Sequence, residues 1–316
     1  MRKLFIYWHN QFFSLSGKND YKHRFPILWA FCGVNWKIAT SLFNLHMDLY
    51  AFFGRFPKKQ KLPDNNIVVS LTSFPARIDK VWMVIDSMLH QDVLPSKICL
   101  YLSEEEFPDG LNSLPSRLLR YQDYGLEINF RKENLMGHKK YYYALQEYGT
   151  SNVITIDDDI YYNRDTISNL VSILKLNPQC ICSNTIHVIR FDENGKSLPY
   201  DDWEMRVPNQ KPSHKNVAIG YNGVLYPSFP YKKDMFDKEL IKTSSLKADD
   251  LWLKAMEIKS GIKVATGRYF CRGVEIGGSQ KISLGKVNIN QNQNDTQWSK
   301  LCELYNINEQ TINEIE

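Results

Sequence analysis

Val153-Ile154-Thr155-Ile156-Asp157-Asp158-Asp159 decides how the chain is read. Four β-branched residues in a row fit a buried strand, and its carboxyl end delivers three consecutive carboxylates. Adjacent aspartates repel one another and are poor strand formers, so something must offset their charge. Hard oxygen ligands suit Mg²⁺ or Mn²⁺, which usually take one or two carboxylates together with substrate phosphates. The plainer alternative is a solvated acidic turn leading into a helix that begins near Asp165.

Outward from this stretch, short β-rich runs alternate with amphipathic ones. Ile67-Val68-Val69-Ser70-Leu71 reads as a buried strand, and Val81, Trp82, Ile85, Met88 and Leu89 form a helical stripe. Strands are expected over 97–102, 126–130 and 180–189, and helices over 114–121, 138–148 and 165–174. Such alternation predicts an α/β fold with a mostly parallel sheet flanked by helices. Ligands of such sheets gather at the carboxyl ends of the strands, where the three aspartates lie.

Strand-Asp157-Asp158-Asp159 resembles the DxD motif of GT-A glycosyltransferases, whose Rossmann-like sheet binds a nucleotide sugar. The resemblance spans about residues 67–270 and rests on several short motifs in order. It implies Asp159 as first metal ligand, with Asp157 at the ribose, a metal-bound water or the ion itself, and Asp158 beside the donor. Ser70-Leu71-Thr72-Ser73-Phe74-Pro75-Ala76-Arg77 is similar to the family's nucleotide loop. Thr72 and Ser73 would then meet base or ribose, with Arg77 nearby; otherwise Ser73 or Asp79 caps the next helix. Gly137-His138-Lys139-Lys140 opens a helix, where backbone N–H groups and cations favour phosphate. The resemblance picks Lys140 over Lys139 as the donor contact; a solvated basic helix start is the alternative.

Gly220-Tyr221-Asn222-Gly223 resembles the glycine-rich loop under the transferred sugar, with Asn222 and Gly223 near a hydroxyl and Trp203 stacking on a ring. Ala248-Asp249-Asp250-Leu251 is similar to the acidic pair of inverting members. There Asp250 would take the acceptor proton and Asp249 would orient the acceptor; a helix-capping pair is the alternative. The family's late histidine ligand has no counterpart, since no His follows His214, and Asp295, Asn294, diphosphate or water would stand in.

The implied activity is transfer of a sugar from a nucleotide-diphosphate donor to a carbohydrate or lipid-linked acceptor hydroxyl, with inversion, in cell-surface polysaccharide synthesis. Three alternatives stay open: a retaining transferase, a sugar-phosphate nucleotidyltransferase, and a non-catalytic membrane-associated scaffold or carbohydrate-binding protein.

Charge divides the chain. Net charge is +4, yet residues 1–66 hold ten Lys/Arg against three Asp, a balance of +7, which leaves −3 for the rest. That excludes a nucleic-acid groove across the main body and gives the basic segment an anionic partner. Within that segment Ile27, Phe31, Val34, Ile38, Leu42, Leu45, Leu49 and Phe52 make a helical stripe, interrupted by Lys37 and Asp48. It lacks the ~20 apolar residues of a membrane span. It either packs on the main domain or a second subunit of a homo-oligomer, or lies on an anionic membrane, anchored by Trp29 and Trp36. A linker from Gly54 to Pro63 follows.

The organisation expected is a basic helical segment over 1–64, the α/β domain over 65–285 and a helical tail over 286–316. Six cysteines without zinc spacing and no visible signal peptide point to a cytoplasmic protein, peripheral on the inner membrane face.

Overall fold

The structure is a computed structural model and describes residues 1–16, 24–229, 231–267, 273–279 and 293–316. Lys18, Asp20, Lys22, Cys271 and the expected boundary at 285–286 lie outside the described residues.

Two helices, α1 (Arg2–Ser16) and α2 (Pro26–Phe52), precede the sheet. The strands are β1 (Ile67–Thr72), β2 (Lys97–Ser103), β3 (Leu126–Arg131), β4 (Asn152–Thr155), β5 (Ile160–Tyr161), β6 (Ile181–Ser183), β7 (Ile186–Val188), β8 (Asn216–Ala218), β9 (Val224–Tyr226), β10 (Val264–Thr266) and β11 (Val274–Glu275). Between and after them run α3 (Val81–Met88), α4 (Ser116–Leu119), α5 (Lys139–Glu147), α6 (Thr166–Leu176), α7 (Lys238–Ser244), α8 (Asp249–Ser260), α9 (Gln293–Tyr305) and α10 (Glu309–Ile315).

Seven strands form the central sheet in the order β10-β6-β9-β4-β1-β2-β3. Its pairings are parallel except those of β9, which runs against both β4 and β6. The pleat explains why β1 and β2 are nearly continuous apolar runs. Val69, Leu71, Leu100 and Ile154 enter a core on one face, while Val68, Cys99, Tyr101 and Val153 enter a second core on the other. The first core is covered by α2, α3, α4 and α6; the second by α5, α7, α8 and the C-terminal pair α9 and α10.

Several expectations need correction. The basic segment holds two helices in place of the one stripe that was traced, and α1 pairs with α2 through Phe5 on His46, His9 on Trp36 and Phe12 on Phe31. The 180–189 strand is two strands in different sheets, because the chain turns at Asn184-Thr185. Residues 114–121 give one short helical turn and a 3-10 segment in place of one helix. The last helices place Trp298, Leu301 and Ile312 in the second core. Helix α2 packs on the main domain through Phe43 and Met47, with Cys32 and Ala39 buried as well, and not through the apolar stripe. No described helix is long and apolar enough to cross a membrane.

The N-terminal pair is fastened by polar contacts as well. Arg2 donates to the buried carboxylate of Asp86 on α3 at 2.6 Å. Tyr161 of β5 and Tyr121 donate to the same carboxylate at 2.9 and 3.2 Å. Removing the cation would leave a buried charge supported by neutral donors alone. Arg2→Ala should therefore destabilise the fold by roughly 3 kcal/mol, read as a lower urea midpoint, whereas Arg2→Lys should recover most of the loss. An unchanged midpoint for Arg2→Ala would show that Asp86 needs no cation.

Candidate active site

Strand order reverses between β1 and β4, and the carboxyl ends of strands at such a switch point are where ligands of an open α/β sheet gather. The β4–β1 ladder continues to Ile156, whose N–H donates to Ser70 O, so the aspartates leave the sheet at once. Asp157 N–H donates to Tyr162 Oη at 2.8 Å, folding the acidic run into a tight loop. The Asp159 carbonyl accepts from Ile276 N, which ties the loop to β11.

Each aspartate has its own surroundings. Asp158 is buried and receives Ser73 Oγ at 2.5 Å and Arg77 Nη1 at 2.6 Å. The same guanidinium nitrogen stands 3.2 Å from Asp159 Oδ2. Asp157 Oδ1 accepts from Lys140 Nζ at 2.7 Å. Burial, then the neighbouring Asp157 charge, push the Asp159 carboxyl up to about 7. Burial also raises Asp158, against the opposing pull of Arg77 and Ser73.

Helix α5 brings the second cation. Ser70 Oγ donates to the Lys140 carbonyl, pinning the first turn of α5 to β1. From there Lys140 Nζ reaches both Asp157 and, at 2.9 Å, Asp249 Oδ2 at the start of α8. Burial opposes its charge, but Asp157, Asp249 and Asp250 outweigh it and hold the ammonium protonated. Lys139 points elsewhere, to Glu106 and Asn134. His138 is buried between Tyr141 Oη and Ser245 O, both at 2.9 Å, and burial lowers its pKa. Neutral imidazole then donates from Nε2 to the carbonyl and accepts from the tyrosine.

Asp249 and Asp250 do not cap α8. Ala248 holds the N-cap position and no side chain bonds there. Asp249 is kept ionised by Lys140 against its burial. Asp250 is the opposite case: burial and then the Asp249 charge push it up to about 8. Its Oδ2 accepts from Gly220 N at 3.2 Å. A Cβ on Gly220 would stand 3.0 Å from Lys140 Nζ, 3.2 Å from Asp250 Oδ1 and 3.5 Å from Asp157 Oδ1. Gly220 is thus the floor on which the two acidic groups meet, and any side chain would part them.

Not every expected residue belongs here. Ser73, Arg77, Lys140, Asp157, Asp158, Asp159, Asp249 and Asp250 come together. Thr72 is adjacent, but its hydroxyl donates to Tyr101 O within the sheet. Asn222 is 1% exposed and its amide donates to Thr185 Oγ1, a structural bridge. Gly223 has φ +89° and faces Leu170 and Thr166 of α6. Trp203 is 3% exposed, packs on Tyr200 and Trp298 and donates to Leu198 O, so it offers no ring to a sugar. Asp295 accepts from Tyr200 N and is occupied there. Gly220 was quoted in the glycine-rich loop, but its approach to Asp250 and Lys140 was not foreseen. Tyr162, whose hydroxyl accepts from Asp157 N, was missed because nothing in its residue type marks that bond.

Among the described residues no group of three or more His, Cys, Asp or Glu could hold a metal. Asp157 and Asp159 nevertheless fit a divalent ion as a two-carboxylate set. Burial and the neighbouring Asp157 charge work against an ionised Asp159, and a cation would relieve that.

No family model and no curated protein matches the chain. Among solved structures, a mannosyltransferase from Pyrobaculum calidifontis, in complex with GDP-Man and Mn²⁺, is 15% identical with a TM-score of 0.46, covering 84% of this chain and 74% of that one. TarS from S. aureus is 14% identical at 0.41, covering 66% and 37%. An inositol-1-phosphate CTP transferase from T. maritima is 12% identical at 0.40, covering 78% and 98%. Likenesses this weak carry no argument about activity, which is taken from the site.

The raised Asp250 carboxyl makes stability depend on pH. The folded state holds a proton that the unfolded chain gives up near its ordinary value of 3.8, so stability is lost as pH rises towards about 8. Asp250→Asn keeps the acceptor for Gly220 N without that liability. Its melting temperature relative to wild type should climb between pH 5 and pH 9, and a constant difference across that range would refute the shift.

Proposed function

We propose that the protein is a GT-A-like glycosyltransferase that moves a sugar from a nucleotide-diphosphate donor to a carbohydrate or lipid-linked acceptor hydroxyl with inversion, in cell-surface polysaccharide synthesis. The observation that carries this reading is the meeting of two acidic groups at Gly220. Asp157 and Asp159 come from the strand switch point, Asp249 and Asp250 from the start of α8, and Lys140 joins them. Metal-type carboxylates at the strand switch point beside a separate acidic pair suit group transfer between a diphosphate and a hydroxyl.

Ser73 and Arg77 satisfy Asp158, which leaves Asp157 and Asp159 as the residues that would hold Mg²⁺ or Mn²⁺. When bound, the ion supplies positive charge that stabilises a departing nucleoside diphosphate. Arg77, beside the loop, adds a fixed cation. Asp250 takes the proton from the acceptor oxygen as that oxygen attacks the anomeric carbon and the bond to the diphosphate breaks. A base whose pKa lies near neutrality suits that task, and Asp249, held ionised by Lys140, is what keeps Asp250 basic. Gly220 N–H holds one Asp250 oxygen, and the missing side chain leaves the other clear.

Asp159→Asn should weaken Mn²⁺-supported binding of a nucleotide sugar by at least about tenfold with the fold intact, measured by titration calorimetry. Unchanged affinity would take Asp159 out of the site.

Asp250→Asn should bind donor like wild type and slow transfer by roughly 10²–10⁴-fold. The product's anomeric configuration, read by NMR, is the independent check: retention in a single transfer would end the direct-displacement role. Release of pyrophosphate from a nucleoside triphosphate and a sugar phosphate would instead mark a nucleotidyltransferase.

A further inference from the structure

Helix α2 carries apolar residues on two opposite faces. Cys32, Ala39, Phe43 and Met47 are buried against the main domain and α1. The other face runs from Ile27 through Phe31, Val34, Ile38 and Leu45 to Phe52, steps of three, four and seven that keep one side of a helix. All six are exposed, Ile27 at 87% and Phe52 at 82%. Helix α1 adds exposed Leu4 and Tyr7, one turn apart. At 27 residues α2 presents a strip roughly 40 Å long.

Charge frames the strip. Arg24 stands before it, Lys37 beside it, and Arg55, Lys58, Lys59 and Lys61 after it, all exposed. Asp48, the acidic residue of α2, pairs with Lys80 of the main domain at 3.5 Å. A second copy docking here by two-fold symmetry would bring like charges together along the whole seam. An anionic bilayer complements them.

We propose that the outward face of α1 and α2 lies on an anionic lipid surface. The apolar strip sits at the boundary of headgroups and acyl chains, and the flanking Lys and Arg meet the headgroups. The helix cannot cross the bilayer, so it lies along it. Because Phe43 and Met47 stay packed on the domain, docking needs no unfolding of the pair. Trp36, expected as a membrane anchor, is instead turned towards His9 of α1. This proposal stands on surface residues away from the acidic site and is independent of the enzymatic reading.

The test is flotation of the full chain with vesicles of phosphatidylcholine alone and of phosphatidylcholine mixed with phosphatidylglycerol. Wild type should float with the anionic vesicles, and far less with the neutral ones or at high salt. A Val34→Ser, Ile38→Ser, Leu45→Ser variant and a Lys58→Gln, Lys59→Gln, Lys61→Gln variant should each bind about tenfold or more weakly with unchanged circular dichroism. Flotation that ignores lipid charge, absence of flotation, or an apolar-strip variant that floats like wild type would overturn the proposal. So would a lipid-free dimer, seen by sedimentation, that the apolar-strip variant dissolves.

Discussion

Five carboxylates crowd the carboxyl end of the sheet, and the buried cations Arg77 and Lys140 are shared among them. Water cannot screen this excess, because burial is what raises Asp159 and Asp250. The surrounding structure answers it in three ways. Asp158 is consumed by Ser73 and Arg77, Asp249 is held ionised by Lys140, and Asp159 and Asp250 keep their protons to higher pH. A site so short of positive charge favours cations, and the same shortage leaves one carboxylate basic enough to accept a proton.

Much of this was legible where the information is local. β1 and β4 announced themselves by runs rich in β-branched residues, and the three aspartates were placed at a strand end by their immediate neighbours. The apolar stripe of α2 was found residue by residue, since periodicity needs only the helix itself. What periodicity cannot say is which face meets the domain: Cys32, Ala39, Phe43 and Met47 are smaller in number and mixed with polar positions, and they turned out to be the buried side. Trp203 and Asn222 are buried with protein partners for a related reason. Aromatic rings and amides serve cores as readily as ligands, and only the positions of Trp298, Leu198 and Thr185 decide between them. The pairing of Lys140 with Asp249 joins residues more than a hundred positions apart, which no local pattern encodes.

The back of the acidic loop is braced by the N-terminal pair. Asn44 of α2 donates to Glu275 O and accepts from Gly277 N. The strand holding Glu275 pairs with β5, and Ile276 holds the carbonyl of Asp159. With Tyr161 bonded to Asp86 and Arg2, the segment before the sheet is mechanically continuous with the acidic loop. An element that the charge pattern marks as a separate appendage is therefore part of the scaffold of the site.

The single reversed strand has a consequence for how the chain is made. β9 is the bridge between the two halves of the sheet: β6 pairs with it, and β10 reaches the rest only through β6. While a ribosome is still producing residues 156–223, β4 has β1 on one side and nothing on the other. That open edge is the kind of template on which nascent strands mispair with their neighbours. The seam closes only when Val224–Tyr226 arrives, so the interval before it is when a chaperone would be most needed.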